Sequence, residues 1–268
     1  MASTPEEAPS AEPIEIGSDA ERNLKPTARW PGWLNNFVLG GGVLAIVVGL
    51  GSLTLARYDI IDKLAGFIGF MSMMMPAAAV AVAGVIALIV ARIKKVPSGK
   101  AAVGLVLALG LIGAMYFAVI RPAGAAPALH DITTNVDNPP QFATLSLRED
   151  NLIPFASLEE WRAAHRQGYP DIAPILIDKN PSEVLADARA LAESKGWTIA
   201  NVDAQGLQLE ATAYAGYLRF RDDVIVKVTP VVDGSSRVDM RSVSRVGLSD
   251  LGYNAARIRE FLGELQAS

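Results

Sequence analysis

Residues 34–56 read LNNFVLGGGVLAIVVGLGSLTLA, without one charged side chain. Residues 64–91, LAGFIGFMSMMMPAAAVAVAGVIALIVA, and 101–120, AAVGLVLALGLIGAMYFAVI, are equally free of charge. A helix rises about 1.5 Å per residue, so roughly 20 apolar residues cross a hydrocarbon core. All three runs reach that length, and three such helices within 90 residues lack the polar shell that a soluble core would need. The sequence therefore predicts three transmembrane helices. Trp30 and Trp33 precede the first as interfacial aromatics. Pro76 predicts a kink in the second near Met71–Met75.

The whole-chain figures agree. Of 268 residues, 51% are hydrophobic and 19% charged, with 7% aromatic, no cysteine, two histidines and a net charge of -4. The absence of cysteine excludes disulfides, thiolate metal sites and thiol nucleophiles. Two histidines, His130 and His165, argue against a histidine metal centre, and no cofactor is expected. The small net charge gives no case for nucleic acid.

Residues 34–120 carry two acids and six bases. Arg92, Lys94, Lys95 and Lys100 lie between the second and third runs, whereas Arg57, Asp59, Asp62 and Lys63 between the first two balance. The positive-inside rule then places the N-terminus in the cytoplasm and everything after the third span across the membrane, which in a bacterium is the periplasm of the inner membrane. Three parts follow: a disordered cytoplasmic tail (1–33), a transmembrane region (34–120) and a periplasmic domain (121–268). A small-residue stripe, Gly41-x-x-x-Ala45-x-x-x-Gly49, suits close helix approach, either among these spans or in a homo-oligomer. No span carries an ionisable residue at mid-depth, which disfavours transport.

Beyond residue 130 the pattern is α+β. Ser157-x-x-Glu160 is a capping box, and Asn180-Pro181-x-Glu183 opens a second helix that Gly196 stops. Alternation predicts strands over Trp197–Val202, Leu207–Ala213, Tyr217–Arg221, Val224–Thr229 and Arg237–Val246, with turns at Asp222–Asp223 and Asp233–Gly234. Asp250 caps a final helix. The predicted domain is a curved antiparallel sheet with two helices on one face; the irregular segment 121–180 drapes over the other.

One polar constellation stands out: Asp222, Asp223, Asp239, Arg241, Arg245, Asp250, Asn254 and Arg257. Asp239, Arg241 and Arg245 share a strand face. Arg241 and Arg245 are roughly 13 Å apart at about 3.3 Å per residue, so each needs its own acid. Asp239 is the expected neighbour of Arg241, and Asp250 or Asp222 that of Arg245. Such a set reads as a salt-bridge network, as a cradle for an anionic headgroup, or as a general-base site. His130 and Asp131 form a secondary candidate. No Ser-His-acid spacing, phosphate loop or metal-ligand spacing accompanies them.

Several motifs occur in order: His130-Asp-Ile-Thr-Thr134, Pro139-Pro140-x-Phe142, Tyr169-Pro-Asp-x-x-Pro174, Gly196-Trp197, Phe220-x-Asp222-Asp223-Val224, Val238-Asp239-x-Arg241-Ser-x-Ser244-Arg245-x-Gly247 and Asp250-x-Gly252-x-Asn254-Ala-x-Arg257-Ile258. Across about His130–Leu265 the chain resembles the family called domain of unknown function 1499. Asn135 stands where many members have Asp, which alters a turn. The resemblance implies a small domain, often membrane-attached or exported, and no activity. The expected function is non-enzymatic: a membrane protein whose domain binds a partner protein or an anionic or amphiphilic ligand near the bilayer. The alternatives are a membrane-bound enzyme acting on lipid or envelope precursors, and a structural subunit of a membrane complex.

Overall fold

The computed structural model describes residues 30–232 and 234–268. The tail through Arg29, the side chains of Trp30 and Pro31, and Asp233 of the Asp233–Gly234 turn lie outside the described residues.

Three helical stretches, Gly32–Arg57, Lys63–Lys94 and Gly99–Ala125, are long and apolar enough to cross a membrane. They comprise α1 (Trp30–Arg57), α2 (Lys63–Ser72), α3 (Met74–Lys94), α4 (Gly99–Met115), a π-helical turn (Tyr116–Ile120) and α5 (Arg121–Ala125). The second stretch breaks at Met73, three residues before Pro76, which offers no amide N–H and crowds the carbonyl one turn back. The π turn ends two residues before Pro122, which withholds an amide N–H from the carbonyls of that turn.

Glycines set the packing of these helices. A Cβ on Gly104 would lie 2.4 Å from the Val38 carbonyl oxygen, and one on Gly42 would lie 2.8 Å from the Gly104 carbonyl oxygen. Helices α1 and α4 thus touch backbone to backbone. The stripe from Gly41 to Gly49 is occupied internally: Gly41 faces Val80, Ala45 is buried, and Gly49 faces Phe70, Met73 and Leu111. At one end Asn35 donates to the Pro97 carbonyl (2.9 Å) and Lys100 to Asn36 (2.9 Å), so the start of α1 meets the α3–α4 connection.

The C-terminal part is an antiparallel sheet with helices. Its strands are β1 (Asp131–Thr133), β2 (Ile175–Ile177), β3 (Thr198–Asp203), β4 (Gln208–Ala215), β5 (Phe220–Pro230) and β6 (Ser236–Ser244). The order is β1-β6-β5-β4-β3, and β2 joins β6 beyond β1, so two short strands lie end to end along one side of β6. Helices α6 (Leu158–Gly168), α7 (Pro181–Ser194) and α8 (Tyr253–Ala267) complete the domain. Ser157 and Asn180 cap α6 and α7 as their sequence signatures require.

Register assigns the side chains to two faces. Leu209, Ala213, Val224, Val226, Val228, Val238 and Met240 join α7 and α8 residues such as Val184, Ala188, Ile258, Phe261 and Leu265 in one core. Helix α6 sends Trp161 into the same core, so three helices, not two, serve it. The opposite face carries the odd-numbered residues of β5 and β6 and is crossed by residues 139–148, a strap described below.

Two sequence expectations need correction. Asp222 and Asp223 are not a turn. They lie inside β5, and the hairpin turns at Gly216–Arg219, where Gly216 and Arg219 have φ of 61° and 56°. The acids stay in the strand because distant guanidiniums neutralise them. The connection 121–180 is also less irregular than expected, since it supplies β1 and β2. The spans and the sheet meet at the β4–β5 hairpin. Arg57 donates to the Tyr217 carbonyl (2.6 Å), Arg221 pairs with Asp59 (3.3 Å), and the Phe67 and Phe220 rings meet edge to face at 6.4 Å.

Candidate functional site

The eight polar residues singled out in the sequence do not form one cluster. The sheet divides them. Arg241, Arg245, Asp239 and Asp223 occupy the strap face, together with Asp131; Asp222, Asn254 and Arg257 occupy the helix face.

On the strap face Arg241 grips Asp131 through two parallel bonds, Nε to Oδ1 at 2.9 Å and Nη2 to Oδ2 at 2.7 Å. Its Nη1 donates to the Pro140 carbonyl at 3.2 Å, and Asn151 donates a further bond to Asp131 at 2.6 Å. The two side chains are only 7% and 3% exposed. Asp239 is therefore not the partner of Arg241. It accepts two bonds from Arg237 and one from Thr134. Arg245 takes neither Asp250 nor Asp222 but Asp223, with Nη2 at 2.8 Å, and also donates to Thr212 at 3.0 Å. Its side chain remains 41% exposed, and its Nη1 makes no hydrogen bond among the described residues.

On the helix face Arg257 donates from Nη2 to Asp222 at 2.7 Å and from Nη1 to Ser242 at 2.9 Å. Asn254 accepts from Ser242 (2.7 Å) and donates to the His130 carbonyl and Ser244 (both 2.9 Å). This ties α8 to β1 and β6 at once. Burial pushes the Asp222 carboxyl above its ordinary range, and Arg257 opposes that shift. Asp250 precedes α8 and accepts the amides of Gly252 and Asn254. Burial raises its pKa to about 6 despite those two bonds.

Sequence reasoning missed Glu210. Its alternation with Leu209 and Ala211 marks it as outward-facing, yet it is 0% exposed. Three successive amides converge on its carboxylate: Ala143 at 2.7 Å, Thr144 at 3.0 Å and 3.1 Å, and Leu145 at 2.7 Å. Glu210 and Arg241, which holds Pro140, fasten the strap over the sheet. The sequence offers no local signal for this, since the strap lies 65–67 residues before Glu210.

His130 is 2% exposed, and neither ring nitrogen has a hydrogen-bond partner among the described residues. Burial lowers its pKa and the nearby Arg148 charge lowers it further, while Asp131 opposes. The ring is thus neutral. His165 accepts the outward N–H of Thr133 at 3.1 Å and so closes the free side of β1.

Two grooves open on the strap face. One, of 210 Å³, lies between Arg148 and Arg245 and is floored by Asp223, Val243 and Ser244. The other, of 400 Å³, lies between Asn135, Gln141, Lys227 and Arg237. Among the described residues no three His, Asp or Glu side chains are placed to hold a metal ion. Chemically, the arrangement consists of neutralised acid–guanidinium pairs, with two half-open guanidiniums, Arg245 and Arg237, each beside a groove.

These features define a class: an α+β domain fastened internally by buried ion pairs and carried on three membrane-type helices. The chain belongs to the family described as Protein of unknown function (DUF1499), whose model matches residues 131–265. No curated protein matches the sequence.

Proposed function

We propose that the protein is a bilayer-tethered binding protein, and that the groove between Arg148 and Arg245 takes the anionic head of an amphiphile at the membrane surface. The observation that carries this reading is the place of Arg245. Arg241 and Arg257 are withdrawn into buried pairs, but Arg245 keeps one guanidinium nitrogen unengaged and faces the groove. Its backbone N–H bonds the Arg221 carbonyl (3.2 Å), and Arg221 pairs with Asp59 of the connection between the first two spans. The groove is thereby one residue from the docked hairpin. A planar guanidinium suits phosphate or carboxylate oxygens.

In this reading the chain divides into a tail (1–33), a membrane region (34–120) and an extramembrane domain (121–268). The basic α3–α4 connection supports a cytoplasmic N-terminus, with the domain in the periplasm of a bacterium. A catalytic role has less support, since each acid of the constellation already accepts hydrogen bonds. A second reading, a structural subunit, draws on the closed pairs Arg241–Asp131 and Arg257–Asp222.

The test uses the full chain in nanodiscs of phosphatidylcholine and phosphatidylglycerol, followed by extraction and mass spectrometry of retained lipid. Arg245→Lys preserves the charge opposite Asp223 but removes the unengaged Nη1. It should lose retained phosphatidylglycerol while the melting curve stays close to that of the parent. Equal retention by both proteins would sink the reading.

A further inference from the structure

We infer that the β4–β5 hairpin is a second membrane contact, with its tip, Gly216–Arg219, seated in the lipid headgroup layer beside the α1–α2 connection. This goes beyond the groove reading and does not depend on it. The depth follows from the contacts. Phe67 lies four residues past Lys63, about 6 Å along the helix axis, within the uncharged run that starts at Leu64. Phe220, a residue of the sheet, packs against it. The base of the hairpin therefore reaches below the polar connection that ends the spans.

Span length sharpens the estimate. The first stretch has 26 residues, about 39 Å of helix against a hydrocarbon core of about 30 Å. With the roughly 9 Å excess shared equally between the two ends, Arg57, which holds the tip through Tyr217, stands about 4–5 Å outside the core, within a headgroup layer about 5–7 Å deep, and Phe67 lies about 6 Å further in. The tip has the matching chemistry. Tyr217 is 55% exposed under the Arg57 guanidinium, 4.7 Å from its ring centre, and Arg219 stacks at 4.2 Å over Tyr214. Amphipathic rings and guanidiniums are the residues that settle at the headgroup level. The domain is then held at two points, the covalent exit from α5 and this hairpin, which fixes its rotation about the membrane normal.

The native chain contains no cysteine, so single labels are clean. Tyr217→Cys and Arg219→Cys place an environment-sensitive fluorophore at the tip, and Val232→Cys places it on a fully exposed residue at the other end of the sheet. The full-length protein is reconstituted in phosphatidylcholine brominated high on the acyl chain, with unbrominated lipid as reference. Both tip labels should lose fluorescence in brominated lipid and the Val232 label should not. Two tip variants guard against the loss of the Arg57 stack in one of them. Tip labels that are quenched no more than the Val232 label, in protein whose circular dichroism is unchanged, would overturn the inference.

Discussion

The Arg241–Asp131 pair allows a quantitative prediction. Arg241→Ala removes two charge-assisted bonds to Asp131 and the bond that holds the Pro140 carbonyl. It leaves a carboxylate that is 3% exposed with one amide, from Asn151, as its remaining side-chain donor. Breaking one partner out of a buried pair costs about 3–5 kcal/mol. At about 3–4 °C per kcal/mol for a domain of this size, the melting temperature should fall by roughly 10–20 °C. Arg241→Met combined with Asp131→Leu removes both charges and should recover more than half of that loss, since a buried pair exchanged for apolar side chains is often neutral. Differential scanning calorimetry of the parent, Arg241→Met, Asp131→Leu and the double variant gives the coupling, expected above about 4 kcal/mol because each single change strands a buried charge. Asp239→Ala should show little coupling to Arg241, because its bonds run to Arg237 and Thr134. A coupling below about 0.5 kcal/mol for Arg241 with Asp131, or a larger one with Asp239, would refute the pairing scheme.

Glu210→Gln turns a donor toward amides that need an acceptor; it should cost about 2–4 kcal/mol and speed hydrogen exchange at Ala143–Leu145 above all other sites. Asp250 has a folded-state pKa of about 6, above its unfolded value, so its protonated form favours folding: its contribution is complete below about pH 4 and is lost as pH rises to about 6, with a span of about 3 kcal/mol. Asp250→Asn should abolish that leg of the stability–pH curve. His130 works in the opposite sense, because its folded pKa is depressed: stability falls as pH drops below about 6.5, and His130→Leu should blunt this acid loss without cost near pH 8, read by denaturant titration at both pH values. In the membrane region Gly104→Val should separate α1 from α4 and lower the melting temperature in detergent, while Gly110→Ala, with no atom within 4 Å of the added Cβ, should leave it unchanged.

The elements legible in the sequence are those whose causes are local. An uncharged run is a complete statement about a span, and Ser157, Asn180 and Gly196 each act within one helical turn. The errors fall where a residue's partner is far along the chain. Asp222 and Asp223 look like a turn because aspartate side chains readily bond backbone amides in turns; their guanidiniums are 35 and 22 residues away. Asp239 shares a face with Arg241, but the acid that binds lies 110 residues upstream on an edge strand of three residues, too short to show alternation. Glu210 was hidden for the same reason: its donors are backbone amides of a segment without periodicity. The family resemblance marked most of these positions but could not say who pairs with whom.

The end-to-end placement of β1 and β2 along β6 has a consequence for the order of synthesis. β1 is made soon after the three membrane-type helices, yet its partners on β6 come about a hundred residues later, and Asn254, which ties the His130 carbonyl to α8, comes later still. While the ribosome works through that interval, Asp131–Thr133 stays with its ladder unmade. Closing the β1–β6 ladder is thus a high-contact-order event that waits for nearly the whole chain. A chain stopped before Ser236 would lack β6 and present β1 as an unpaired edge, the kind of exposed strand that a quality-control protease recognises.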